Sequence, residues 1–177
     1  TLFLPLLPSQ QNETEPPTME PINAVSEDCL TVTLLDAVGS GTTTQNSDVI
    51  NISGFDAVEF LTHIGTPAAN TNVRVQTGTL KDGSDMADVA GSKITPTGTV
   101  GASTTQHDLV KAAQSYARVQ ITRGTATTIE SVTAKLYGAH QAPQTNNNGT
   151  NATTAVGTNT ARNFFSTKLI NPTQGTA

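Results

Sequence analysis

The residues able to do chemistry are few and scattered. Three histidines, His63, His107 and His140, share no H-x-x-x-H spacing, and the single cysteine, Cys29, has no second thiol for a C-x-x-C pair. Zinc sites are built from such clusters, so no metal role is expected of them. Cys29 borders an apolar run and reads as small, buried filler. Asp82, Asp85 and Asp88 stand three residues apart, whereas calcium-loop ligands recur at every second position before a distant Glu. A polar turn built on Asp82-Gly83 is expected instead. His107 and Asp108 are neighbours in a strand-like run, and neighbours on a strand face opposite ways, which spoils them as a relay. There is no G-x-S-x-G elbow and no phosphate loop ending in G-K-[ST]. A sugar cleft with paired carboxylates would need aromatic walls, and the chain has two Tyr and no Trp. The expectation is a protein that is not an enzyme and uses no cofactor.

The elements that would carry these side chains are strands. From Ser115 to Pro143, Ala117, Val119 and Ile121 alternate with Tyr116, Arg118, Gln120 and Thr122, and Val132, Ala134 and Leu136 alternate with Thr133, Lys135 and Tyr137. A period of two marks strands with one face for a core and one for water. Gly124 falls in the connection, where a hairpin turn is expected. Upstream, Leu30, Val32 and Leu34 alternate in a first strand, Ala37 to Asp48 reads as a loop, and Val49 to Ile52 as a short strand closed by a Ser53-Gly54 turn. Val58, Phe60, Thr62 and Ile64 oppose Ala57, Glu59, Leu61 and His63, a strand partly apolar on both faces and therefore central. Val73 and Val75 mark another strand, and Lys93–Val100 and His107–Val110 two short ones. About eight strands in about 115 residues, with turn signals between, predict an all-β, antiparallel β-sandwich or jelly-roll-like core.

Composition agrees. Of 177 residues, 32 are Thr and only 35% are apolar, which favours extended backbone and long polar loops over helices. A chain of this length buries enough surface to need no staples. No stretch reaches the roughly 20 apolar residues that span a bilayer, so no membrane is expected. The opening TLFLPLL lacks a basic flank and is broken by Pro5 and Pro8, unlike a signal peptide. A start at Thr1 points to removal of an initiator methionine from a protein made in the cytoplasm. Asn12, Asn51, Asn148 and Asn151 begin N-x-[ST] sequons, which matter only in a secretory pathway.

Charge is lopsided. Residues 1–73 hold nine acidic side chains, Glu13 and Glu15 among them, and no Lys or Arg; the remainder holds nine basic against five acidic, so −9 and +4 make up the net −5. This reads either as a solvated acidic flank or as an arm that docks on a basic partner surface. There is no basic stripe and aromatics for stacking are few, so nucleic acid is not an expected partner. Residues 1–28 are punctuated by Pro5, Pro8, Pro16, Pro17 and Pro21, which cannot join a helix or a central strand. Extended, this N-terminal arm spans roughly 90 Å. Residues 29–143 form the sandwich, and residues 144–177 a tail whose Asn/Thr/Gly run cannot fold alone. Contacts to a partner are expected at Leu2, Phe3, Leu4, Leu6, Leu7, Glu13 and Glu15 on the arm, and at Phe164, Phe165, Leu169 and Ile170 on the tail.

Several runs carry a family likeness. Ile52-Ser53-Gly54-Phe55-Asp56-Ala57-Val58-Glu59-Phe60 resembles a Gly-aromatic-Asp turn between strands in small structural proteins of tailed bacteriophages. Ala87-Asp88-Val89-Ala90-Gly91 is similar to their acidic-apolar-Ala-Gly turn, and Tyr116-Ala117-Arg118-Val119-Gln120-Ile121-Thr122-Arg123 to their R-Y-V-R-type strand. Leu136-Tyr137-Gly138-Ala139-His140, with Pro143 beyond, resembles their closing Y-G-A-(R/H)-x-x-P, and Ile170–Ala177 their S-P-x-x-G-T-A terminus. The likeness covers roughly residues 48–177. Lys111–Ser115 departs from it, standing where a Pro-Arg-rich bend would be, and residues 1–28 form a longer lead. The resemblance implies a head decoration or cement protein on the capsid exterior that bridges subunits of the major capsid protein and self-associates as a dimer or trimer. Some similar proteins are head fibres, so a glycan-binding module on a fibre or tail is the alternative, and a secreted bacterial sandwich domain from a pilus or surface layer a third.

Overall fold

A computed structural model describes residues 29–96 and 101–140, with three two-residue strands in the C-terminal region. In chain order the strands are β1 (Cys29–Leu35), β2 (Val38–Gly41), β3 (Gln45–Asn46), β4 (Val49–Asn51), β5 (Phe55–Thr66), β6 (Asn72–Gly78), β7 (Ala87–Asp88), β8 (Ser103–Val110), β9 (Tyr116–Thr122), β10 (Thr127–Ala139), β11 (Gly149–Thr150), β12 (Ala155–Val156) and β13 (Asn163–Phe164). No helix occurs among the described residues, and none is therefore long and apolar enough to cross a membrane.

Two antiparallel sheets face each other. The first runs β1-β10-β5-β8, with β2 also on β10; the second runs β12-β4-β9-β6-β7, with β3 also on β9. β11 and β13 pair separately. The expected alternation sets the core. Leu30, Val32, Leu34, Val58, Phe60, Ile64, Ile129, Val132, Ala134 and Leu136 point inward from the first sheet, against Ile50, Val73, Val75, Ala117, Val119 and Ile121 from the second. Burying each large aliphatic side chain contributes about 1.5–3 kcal/mol. β5 lies between β10 and β8, central as its two-faced pattern implies. Cys29 is buried.

The stretch expected to be a hairpin is not one. β9 joins the second sheet beside β6, and β10 joins the first between β1 and β5, so the connection crosses from one layer to the other. Alternation assigns faces to a strand but not its neighbours, and both strands would show the same stripe in either arrangement. The crossing is built by a tight corner. The Gly124 N–H donates to Thr71 Oγ1 at 3.0 Å, and Thr71 Oγ1 meets Thr127 Oγ1 at 2.6 Å. An added methyl at Gly124 would overlap the Ala69 carbonyl oxygen, so only glycine fits. Arg123, 8% exposed, donates to the carbonyls of Thr43 (2.7 Å), Gly39 (2.7 Å) and Thr127 (3.4 Å), so its buried charge is spent on backbone acceptors.

Three further expectations are corrected. The 37–48 loop contains β2 and β3, short pieces that complete the edges of β10 and β9. The run from Lys93 contributes a single bridge, Ile94 to Val73, in place of a strand, and residues 97–100 lie outside the described residues. The two-residue β7 forms at Ala87–Asp88, where the family likeness implies a turn. The Asp82-Gly83 turn is present: Asp82 Oδ1 accepts from the Ser84 N–H at 3.0 Å, and Gly83 takes φ +71°.

Candidate functional site

The strand registers sort the body into two poles. Cys29 stands opposite Tyr137, Phe55 opposite Ala139, and Val110 opposite Ala57, so β1 and β5 begin where β8 and β10 end. In the second sheet Tyr116 stands opposite both Asn51 and Gly78. The connections at residues 52–54 and 111–115 join the sheets at this end. The chain before Cys29 and the chain after His140 therefore both attach to one pole, the near pole. The Gly124 crossing lies at the far pole.

The near pole is closed by local hydrogen bonds. Asn51 Oδ1 accepts from the Ser53 N–H (3.0 Å) and hydroxyl (2.7 Å), and the Phe55 N–H donates to the Ile52 carbonyl at 3.1 Å, closing the turn before β5. Gly138, at φ +62°, lets the end of β10 pass the Asp56 side chain. The His140 N–H then donates to the Gly54 carbonyl at 2.9 Å, and its ring reaches Asp56 at 3.2 Å. That last pair is exposed on both sides and adds little stability. The Lys111 N–H donates to the Asp56 carbonyl at 2.8 Å. Thus the 52–60 run and the 136–140 run meet at one corner. Two more motif runs, 87–91 and 116–123, are linked through β6 on the second sheet: Arg74 pairs with Asp88 at 2.7 Å, Gln76 donates to Asp88 at 2.7 Å, and Arg118 donates to Gln76 at 2.8 Å.

Residues 79–86 extend β6 beyond this pole. Asp85 accepts from the Thr79 N–H (2.7 Å), the Thr79 hydroxyl (2.7 Å) and the Leu80 N–H (3.1 Å), which holds its carboxyl below the usual range. Asp82 is lowered by the Ser84 backbone and hydroxyl, and Asp88 by Gln76 and then Arg74. The three aspartates thus serve three separate local tasks, and among the described residues no three His, Cys, Asp or Glu gather to hold a metal. This loop presents Leu80, 50% exposed, and the end of β8 presents Val110, 62% exposed. They are the two exposed large apolar side chains among the described residues, and both belong to the near pole.

On the outer face of the first sheet, the Tyr137 hydroxyl donates to Glu59 Oε2 at 2.6 Å, and the Lys135 ammonium lies 5.1 Å from the Tyr137 ring centre. The hydrogen bond to Glu59, aided by burial, pushes the phenol up to about 12.

The histidines do not assemble a catalytic group. His63 Nδ1 meets Thr104 Oγ1 at 3.0 Å on the outer face, and His140 is at the pole. His107, 8% exposed, lies on the inner face of β8, while Asp108 is exposed on the other. Its Nε2 is 2.7 Å from the Ser92 carbonyl, which only accepts, so Nε2 carries the proton. Nδ1 is then a lone-pair acceptor, buried without a partner, and burial pushes the ring's pKa down. Thr62, Ser103 and Thr105 hydroxyls along the same inner edge are likewise buried and unpartnered. A cavity of about 330 Å³ opens here between Val89–Ile94 and Gln106–Leu109. Ser92 Oγ is engaged by the Val75 N–H (3.1 Å) and carbonyl (3.2 Å), and His107 touches the Ser92 carbonyl instead of the hydroxyl. This pair is not a nucleophile with its base.

No family model matches the chain, and no curated protein matches it.

Of the anchors expected from sequence, Leu2, Phe3, Leu4, Leu6, Leu7, Glu13, Glu15, Phe165, Leu169 and Ile170 lie outside the described residues. The backbone of Phe164 is in β13, opposite Gly149. Leu80 and Val110 were missed. Their signal is faint: Leu80 is a lone apolar residue in a polar turn, and Val110 follows Leu109, so one of the two must break phase on a strand.

Proposed function

We propose that this protein is a decoration protein of a tailed-phage head, seated by its near pole on the major capsid protein lattice and bridging subunits through its terminal segments. The observation that carries this reading is the convergence at one pole: residues 1–28, residues 141–177 and the two exposed apolar side chains, Leu80 and Val110, all attach to the same end of the sandwich. Such an arrangement suits a body that stands on a surface. The phage-like runs support it further, because they come together in pairs: 52–60 meets 136–140 at a corner, and 87–88 and the strand beginning at Tyr116 flank the same β6. The mechanism is mechanical. Each contact is modest, but once one segment is bound the next binds at high effective concentration. Internal pressure must then strip several contacts before subunits part. The acidic arm suits a basic capsid surface.

The test is co-sedimentation with shells of the major capsid protein. Deleting residues 1–28, or combining Leu80→Asp with Val110→Asp, is expected to lower affinity at least about tenfold, in line with loss of central apolar anchors. Undiminished occupancy by both variants would remove the near pole and the arm from the mechanism.

A further inference from the structure

The edges of the two sheets are not alike. β1 carries a register shift between Thr33 and Leu35 and has β13 beside it. On the second sheet, β7 and β12 are two residues each. Bulges, short strands and cover are the ordinary protections of an edge against pairing with another chain. Among the described residues β8 has no bulge and is not short, and the one segment set against it, residues 89–94, meets its inner side through His107 and the Ser92 carbonyl rather than pairing with its edge. β8 pairs with β5 without interruption over eight residues, from Ala57↔Val110 to Ile64↔Ser103, and contains no Pro and no Lys. Among the described residues no strand pairs with its other side.

We propose that the free edge of β8 is a self-recognition surface, on which a second copy of this chain adds its own β8 antiparallel about a two-fold axis. The outward row of β8 is Thr104, Gln106, Asp108 and Val110, all exposed. With the axis at His107, Gln106 of each copy stands opposite Asp108 of the other, and Thr104 opposite Val110. The amide then donates to the carboxylate twice, once on each side of the axis. Gln106 Nε2 already reaches its own Asp108 at 3.5 Å, a long contact that a directly opposed carboxylate improves. With the axis at Asp108, two carboxylates would face each other, which disfavours that register. A shared two-fold makes the patch complementary to itself and closes the assembly at two copies. An eight-residue edge is smaller than the roughly 800 Å² per partner of a standard interface, so the association is weak in free solution. The proposal stands whether or not the body decorates a capsid.

The experiment is sedimentation equilibrium on the full chain between roughly 10 µM and 1 mM, where interfaces below standard size associate, with hydrogen exchange of β8 followed across the same range. A monomer–dimer equilibrium is expected, with β8 amides gaining protection as concentration rises. Gln106 is exposed, so its variants keep the fold. Gln106→Lys, which sets an ammonium against Asp108, is expected to tighten the dimer about 3- to 10-fold, and Gln106→Glu to weaken it by a similar factor. A monomer throughout, a dimer indifferent to both changes, or β8 amides equally protected at the lowest concentration would each overturn the proposal.

Discussion

Tyr137 shows how a single residue reports on the architecture. It lies on β10 and its hydroxyl donates to Glu59 on β5, so its ionisation is tied to the pairing of two central strands. In the fold the phenol is held up to about 12 against an ordinary 10.0, so the neutral form is favoured. The sign follows. This contribution to stability is complete below pH 10, where the unfolded phenol is also neutral, and fades as pH rises from 10 through 12. Alkaline absorbance titration is expected to show one tyrosine ionising near 12, and Glu59→Gln should move that midpoint down toward 10 by removing the acceptor charge. An unmoved midpoint would mean that burial, not Glu59, sets the value. None of this was legible in the sequence. Glu59 and Tyr137 are separated by 78 positions, and only the strand pairing brings them together.

At the scale of elements, periodicity carried a great deal. The alternation in residues 30–34, 58–64, 117–121 and 132–136 names the buried faces that the structure has. Which strand neighbours which was another matter. The Ser115–Pro143 stretch reads as a hairpin because a glycine joins two alternating runs, yet its strands belong to opposite sheets. What decides this is a contact at long range: Ala69 and Thr71, on the connection before β6, close over Gly124. Gly124 therefore offers a direct test of the crossing. Gly124→Ala should lower stability by about 3 kcal/mol, the upper end of ordinary overpacking, because the clash is with backbone. Gly39→Ala, where an added methyl meets nothing within 4 Å, should stay within about 0.5 kcal/mol of wild type. Urea unfolding midpoints check both. Equal stability for the two variants would contradict the corner as described.

At the scale of the molecule, the sandwich has two distinguishable ends. Sequence alone marked the acidic, proline-punctuated lead and the polar tail, but not their shared point of attachment, which follows from the register of Cys29 with Tyr137. The candidate surface was legible only in part for a similar reason. Leu80 and Val110 are single apolar residues 30 positions apart, and neither makes a pattern until the chain folds. The polar turn that displays Leu80 was expected; its place at the pole was not.

The most direct test of the account uses position-specific photo-cross-linkers in the full chain bound to shells of the major capsid protein. Probes at positions 80 and 110 sample the near pole, and probes at 69 and 125 the far pole. The account predicts cross-links to the shell from 80 and 110 and none from 69 and 125. Cross-links from the far pole alone, or a chain that does not associate with the shell at all, would contradict it.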